Sequence, residues 1–334
     1  MSRQLDSESP QSTRAEDDRR FRLGLRAIQI VATLGAFAYL AVSLDWKQLA
    51  EVIPKVSLWA VAATCAVYYL VLALGTVRWK LLLTALGAKR VLRFRYLFGM
   101  YLMGLFYNTF VPGGVGGDVV RGLATRTAFG SGGAAASLSV VFIERAMGLG
   151  GMFFVVATAT MLFPLQGIPH LAGMGALGVL LSLGGFAGLA FARRLAPYLP
   201  GAMGRLALSL PVLTRLGPMP LAILTAVSTH ALSALAGHLL IIMVAPEVTL
   251  AQSMTIVPLS LAMVYVPISV GGVGVVELAL VQMLSLVGVS EEPAVVAALS
   301  MRACQWAVAA PGGLVALWSP TSSAQEDAAD VAKA

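Results

Sequence analysis

The chain has 334 residues, 58% hydrophobic and only 12% charged, with a mean hydropathy of +0.84. Soluble domains carry roughly a quarter charged residues, so this balance excludes a soluble enzyme and assigns an integral membrane protein, most simply one all-α bundle. The formal charge of +7 does not point to nucleic acid, because the arginines stand in the gaps between oily runs. There they orient a membrane protein and meet anionic head groups.

Residues 1–22 are polar and rich in Ser, Asp, Glu and Arg, which predicts a disordered tail. No signal peptide is expected, since the following apolar stretch is long and lacks a small-residue cleavage site. Apolar runs of roughly 20 residues predict full spans near 23–43, 56–76, 133–163, 171–192, 221–244 and 294–318. Residues 319–334 form a second polar tail.

Two regions do not fit a simple span count. The first is a short apolar run at 97–111, ended by Pro112 and glycines and followed by 119–129. The second is a pair of runs, 250–268 and 273–289, hinged at Pro267 and Gly271-Gly272. Each reads as a re-entrant helical hairpin or as two ordinary spans with a tight turn. Either way the chain leaves on the side it entered. Arg14, Arg19, Arg20, Arg22 and Arg26 precede the first span. Arg78, Lys80, Lys89, Arg90, Arg93 and Arg95 follow the second, and Arg193, Arg194, Arg205 and Arg215 follow the fourth. Placing all of these in the cytoplasm puts both termini there too. The hairpins then enter from opposite sides, and 56–163 becomes the inverted repeat of 221–318, an arrangement used for alternating access around a midplane site. Residues 193–220, basic and apolar between prolines, suit the cytoplasmic interface.

The two hinges share one pattern: V-P-G-G-V-G-G-D from Val111 to Asp118, and V-P-I-S-V-G-G-V-G-V-V-E from Val266 to Glu277. Their candidate site residues are Pro112, Gly113, Gly114, Gly116, Gly117 and Asp118, and Pro267, Gly271, Gly272, Gly274 and Glu277. Paired helix breaks in corresponding halves point to a transporter-like site, and intramembrane acids are functional candidates. Asp118 and Glu277 either face each other across the repeat axis and hold a cationic group or a proton, or cap helix N-termini. Glu144 and Arg145 stand about 17 Å into their span at 1.5 Å per residue. Adjacent positions diverge around a helix, so each needs a partner elsewhere; Arg145 with Asp118 or Glu277 is one option, a structural ion pair locking the bundle another. Arg121, Arg145 and Arg302, the last the counterpart of Arg145, supply forks suited to a phosphate. Asn108 bonds across the broken backbone or contacts a head group. His230 and His238 have no third ligand at metal spacing, and the glycine runs lack the lysine of a P-loop, so neither metal nor nucleotide cofactor is expected.

N-T-F-V-P-G-G-V-G-G-D-V-V-R (Asn108 to Arg121), Glu144-Arg145 and Pro267 to Glu277 together resemble the flippase-like, lysylphosphatidylglycerol synthase transmembrane-region family over roughly residues 20–320. The resemblance implies a multi-pass protein of the bacterial cytoplasmic membrane, related to the domain that moves aminoacylated phosphatidylglycerol across the bilayer. Only the polar tail follows the last span, so the soluble aminoacyl-transferase half, and lysyl transfer with it, is not expected. The expected partners are membrane lipids with anionic phosphate head groups. Two other functions stay open: a scaffold for a lipid- or polysaccharide-modifying enzyme, and an intramembrane lipid-modifying transferase.

Overall fold

The computed structural model describes residues 45–110, 116–130, 133–164, 170–201, 203–204, 208, 212–265 and 272–318. The expected first span at 23–43, both polar tails, and Pro112, Gly113, Gly114, Pro267 and Gly271 lie outside them. Among the described residues there are helices and no strands. In chain order they are α1 (Trp46–Val52), α2 (Leu58–Ala85), α3 (Phe94–Phe110), α4 (Gly116–Ala124), α5 (Gly133–Leu162) and α6 (Leu171–Leu195). They continue with α7 (Met219–Val244), α8 (Leu250–Ala262), α9 (Val275–Ser285), α10 (Glu291–Ala309) and α11 (Pro311–Trp318), with short 3-10 turns between some.

Four helical stretches are long and apolar enough to cross a bilayer: Leu58–Ala85, Gly133–Leu162, Met219–Val244 and Glu291–Leu317. They match four of the expected spans. Shorter apolar helical stretches are Leu171–Gly185 within α6, Leu250–Tyr265 and Val275–Ser285. One boundary is corrected. The second span does not end at residue 76 but continues to Ala85, because Leu81, Leu82 and Leu83 resume the apolar pattern after Arg78 and Lys80. Arg78 therefore lies inside a helix rather than in an orienting loop.

Helix ends follow local chemistry. Ser57 caps α2 by accepting from Trp59 N at 3.2 Å, and Asp45 caps α1 by accepting from Lys47 N at 2.9 Å. Thr249 and Gln252 form a reciprocal capping box at the start of α8. Pro258 sits inside α8, which gives way to a 3-10 turn at Met263–Tyr265.

Lipid is as apolar as leucine, so helices in a bilayer associate through close packing of small residues rather than through burial from water. The buried face of α7 is built that way: Ala222, Thr225, Ala226, Thr229, Ser233, Ala234, Ala236 and Gly237 recur at helical spacing. Thr64 of α2 donates to Ala236 O at 3.2 Å. A Cβ on Gly151 of α5 would stand 2.6 Å from the Ala226 backbone. Large side chains such as Trp59, Leu70, Leu177, Leu180 and Leu181 face outward, as they do in lipid. The helix contacts are reciprocal. α2 packs on α7; α5 packs on α7 and α10 on α2; α8 packs on α5 and α3 on α10.

α3 and α4 approach closely at Gly104 and Gly117. A Cβ on Gly117 would stand 1.9 Å from the Gly104 carbonyl oxygen, whereas one on Gly116 would meet nothing within 4 Å. Gly117→Ala is expected to destabilise the fold by about 1–3 kcal/mol, the usual overpacking penalty. Gly116→Ala is expected to leave the thermal midpoint of the detergent-solubilised protein unchanged, so comparing the two midpoints checks the packing directly.

Candidate functional site

The first charged cluster forms where α2, α3, α4 and α5 meet. Glu144 is 1% exposed. Its Oε1 accepts from Arg78 Nη2 at 3.1 Å and from the Tyr101 hydroxyl at 3.0 Å. Its Oε2 lies 3.0 Å from Arg121 Nη1 without an aligned hydrogen bond, so that contact is charge against charge. Arg78 also donates through Nη1 to Thr229 Oγ1 at 3.2 Å, tying the cluster to α7. The Arg121 guanidinium stands 4.2 Å from the Tyr101 ring centre and 5.1 Å from that of Trp79. Cation–π contacts of this desolvated kind contribute about 2 kcal/mol.

Asp118 carries the chain of charges outward. Its Oδ1 accepts from Arg121 Nη2 at 3.0 Å, and its Oδ2 pairs with Arg145 Nε. Asn108 Nδ2 donates to Asp118 Oδ1 at 3.4 Å, while Asn108 Oδ1 accepts from Gly117 N at 2.9 Å. Of the two roles expected for Asn108, this is the bond across the broken backbone: it satisfies an N–H in the first turn of α4. The side chain of Arg145 is 32% exposed, against 6% for Arg121 and 2% for Glu144. Three guanidinium groups thus face two carboxylates, and the excess positive charge is presented at Arg145. Near the cluster, Gly148 leaves room on α5 for the Tyr265 hydroxyl and the His230 ring.

The second cluster is smaller. Glu277 stands in the first turn of α9, and its Oε2 accepts from Gly274 N at 2.7 Å. Its Oε1 pairs with Arg302 Nε, and Arg302 Nη2 donates to Gly272 O at 3.3 Å. Gly272 and Gly274 adopt φ of +76° and +83°, left-handed values that favour glycine and turn the chain into α9. Beside this pair is a cavity of about 10 Å³ lined by Ser260, Gln305 and apolar side chains.

Several expectations change. Asp118 and Glu277 share no partner: Asp118 pairs with Arg121 and Arg145, and Glu277 with Arg302. Arg145 takes the Asp118 option. Glu277 caps its helix and is ion-paired at once, so its two readings are not exclusive. Arg302 is engaged by Glu277 rather than set out as a free phosphate fork. Glu144 and Arg121 are walled in, which fits a structural lock and leaves Arg145 as the accessible cation of the cluster. Arg78 and Tyr101 were not expected as site residues. Arg78 could have been found from its helical register with the buried Tyr68, Leu72, Gly75, Trp79 and Leu82.

A family model described as the lysylphosphatidylglycerol synthase TM region matches residues 26–313. The chain belongs to that family. The match runs from before α1 into α11, so both charged clusters lie within the lysylphosphatidylglycerol synthase TM region. No curated protein sequence matches the chain.

Removing the Glu144 charge leaves Arg78 and Arg121 buried without their shared anion. Breaking a buried pair in this way costs roughly 3–5 kcal/mol. Glu144→Gln is therefore expected to lower the thermal midpoint in detergent far more than Arg145→Gln, which leaves Asp118 paired with Arg121. Equal midpoints for the two variants would remove Glu144 from its place at the centre of the cluster.

Proposed function

We propose that the protein translocates a phosphate-bearing lipid, or lipid-linked, head group between the leaflets of the bacterial cytoplasmic membrane, without itself performing lysyl transfer. The observation that carries this reading is the Asp118–Arg145 pair at the accessible edge of a buried cluster with excess positive charge. An anionic phosphate competes with Asp118 for the Arg145 fork and gains a charge-assisted, two-point contact. Arg121, Glu144 and Arg78 hold that edge in place. The acyl chains stay in lipid while the head group crosses.

The Glu277–Arg302 pair is its counterpart in the other half. Arg145 and Arg302 both lie about 17 Å along their long helices at 1.5 Å per residue. The reciprocal packing supports two halves, α2 to α5 and α7 to α10, related as an inverted repeat: exchanging α2 with α7, α3 with α8, α4 with α9 and α5 with α10 preserves the set of packed pairs. On that reading α3–α4 and α8–α9 are hairpins entering from opposite sides, six helices span fully, and both termini are cytoplasmic. In a background lacking Cys65 and Cys304, a cysteine replacing Ile168 is expected to label from outside and one replacing Arg205 is not. The reverse pattern inverts the orientation.

The activity is tested in proteoliposomes with a head-group-labelled anionic lipid and a membrane-impermeant quencher. Asp118→Asn and Glu277→Gln are each expected to slow translocation at least tenfold, a loss of about 1.4 kcal/mol, while still yielding folded protein. No translocation by the unsubstituted protein would favour a scaffold for a lipid-modifying enzyme. Full activity in both amide variants would assign the transport to other residues.

A further inference from the structure

Away from both clusters, four cations line one pocket at the C-terminal end of α2. A cavity of about 70 Å³ is bordered by Lys80, Thr84, Lys89, Arg90 and Arg215, with Leu83 and Leu97 among its apolar walls. It has room for roughly five waters, enough for a phosphate group. The backbone around it is fixed. Thr214 N and Arg215 N donate to Ala85 O at 2.8 and 3.2 Å, and Thr214 Oγ1 donates to the same carbonyl at 3.1 Å. Lys89 N donates to Ala128 O at 2.7 Å, and Gly87, at φ +90°, makes the turn out of α2. Among the described residues no carboxylate pairs with any of the four cations.

Four like charges on a fixed frame repel one another, with no paired carboxylate among the described residues, and the ligand that suits two lysines and two arginines is a phosphate, held by point charges and guanidinium forks together. The surroundings favour a lipid as its source. Val91, in the pocket wall, and Leu216, next to Arg215 in sequence, are 77% and 71% exposed, and Phe94 also faces outward. Basic pockets between helices at the membrane surface bind anionic head groups in this way. We propose that this pocket is a binding site for the phosphate of an anionic lipid head group at the membrane surface, separate from the translocation cluster and independent of whether that cluster transports.

The test uses the full chain in mixed micelles, titrated with phosphatidylglycerol, with phosphatidylcholine or with inorganic phosphate, and followed by thermal midpoint and by native mass spectrometry of retained lipid. Phosphatidylglycerol is expected to raise the midpoint and phosphatidylcholine is not. The triple variant Lys89→Gln/Arg90→Gln/Arg215→Gln is expected to lose on the order of a hundredfold in apparent affinity, since each surface cation contributes several-fold. The charge-keeping variant Lys89→Arg/Arg90→Lys/Arg215→Lys is expected to restore binding, which separates lost charge from lost fold. Lys47→Gln/Lys55→Gln serves as the control away from the pocket. If inorganic phosphate protects as strongly and the triple variant abolishes that protection, the pocket is an anion site fed from solution. If the triple variant binds phosphatidylglycerol like the control, the proposal is overturned.

Discussion

Everything at the first cluster depends on one carboxylate held in an environment that cannot solvate it. Glu144 lies midway along α5 and is surrounded by two arginines and a tyrosine hydroxyl. A charge at this depth is costly on its own. Once paired, it becomes a specificity device, because any rearrangement that separates the partners strands a charge in a low-dielectric interior. The partners come from α2, α3 and α4, so this one carboxylate fixes the mutual arrangement of four helices. Arg121 shows how thoroughly the cluster is held: its fork touches two carboxylates while aromatic rings cover its faces.

The charges meet only because the backbones can come close. In lipid the helices gain little from hiding apolar surface, so contact area and small residues decide which faces meet. The small-residue face of α7 admits α2 and α5, and the Gly104–Gly117 approach brings α4 against α3 so that Asp118 and Arg121 reach the cluster. Close packing brings the charges within reach, and their pairing holds the helices in that arrangement.

On the proposed repeat, the two carboxylate–arginine pairs are equivalents in unlike surroundings. The Arg145 side chain is 32% exposed and that of Arg302 is 10%. The first half adds Arg78, Arg121 and Glu144 around its pair, whereas the second braces its pair with the backbone of Gly272 and Gly274. Among the described residues of the two clusters the excess positive charge stands at the first, and the proposed preference for anionic cargo rests on that asymmetry.

The sequence by itself determined the helical membrane class and the location of four long apolar helices, and it singled out the charges set inside apolar runs. Asp118, Arg121, Glu144, Arg145, Glu277 and Arg302 stand out because hydropathy is a local property, and a charge inside an apolar run is visible without knowing its neighbours. Partner choice is not local. Arg78 lies 66 residues from Glu144, and at the end of its apolar run it reads as a loop cation until α2 is seen to continue to Ala85. Whether Arg145 paired with Asp118 or with Glu277 was equally open along the chain, since either carboxylate satisfies its charge. The tertiary structure decided it through close contacts between small residues, which fix which helix faces touch and therefore which charges neutralise one another.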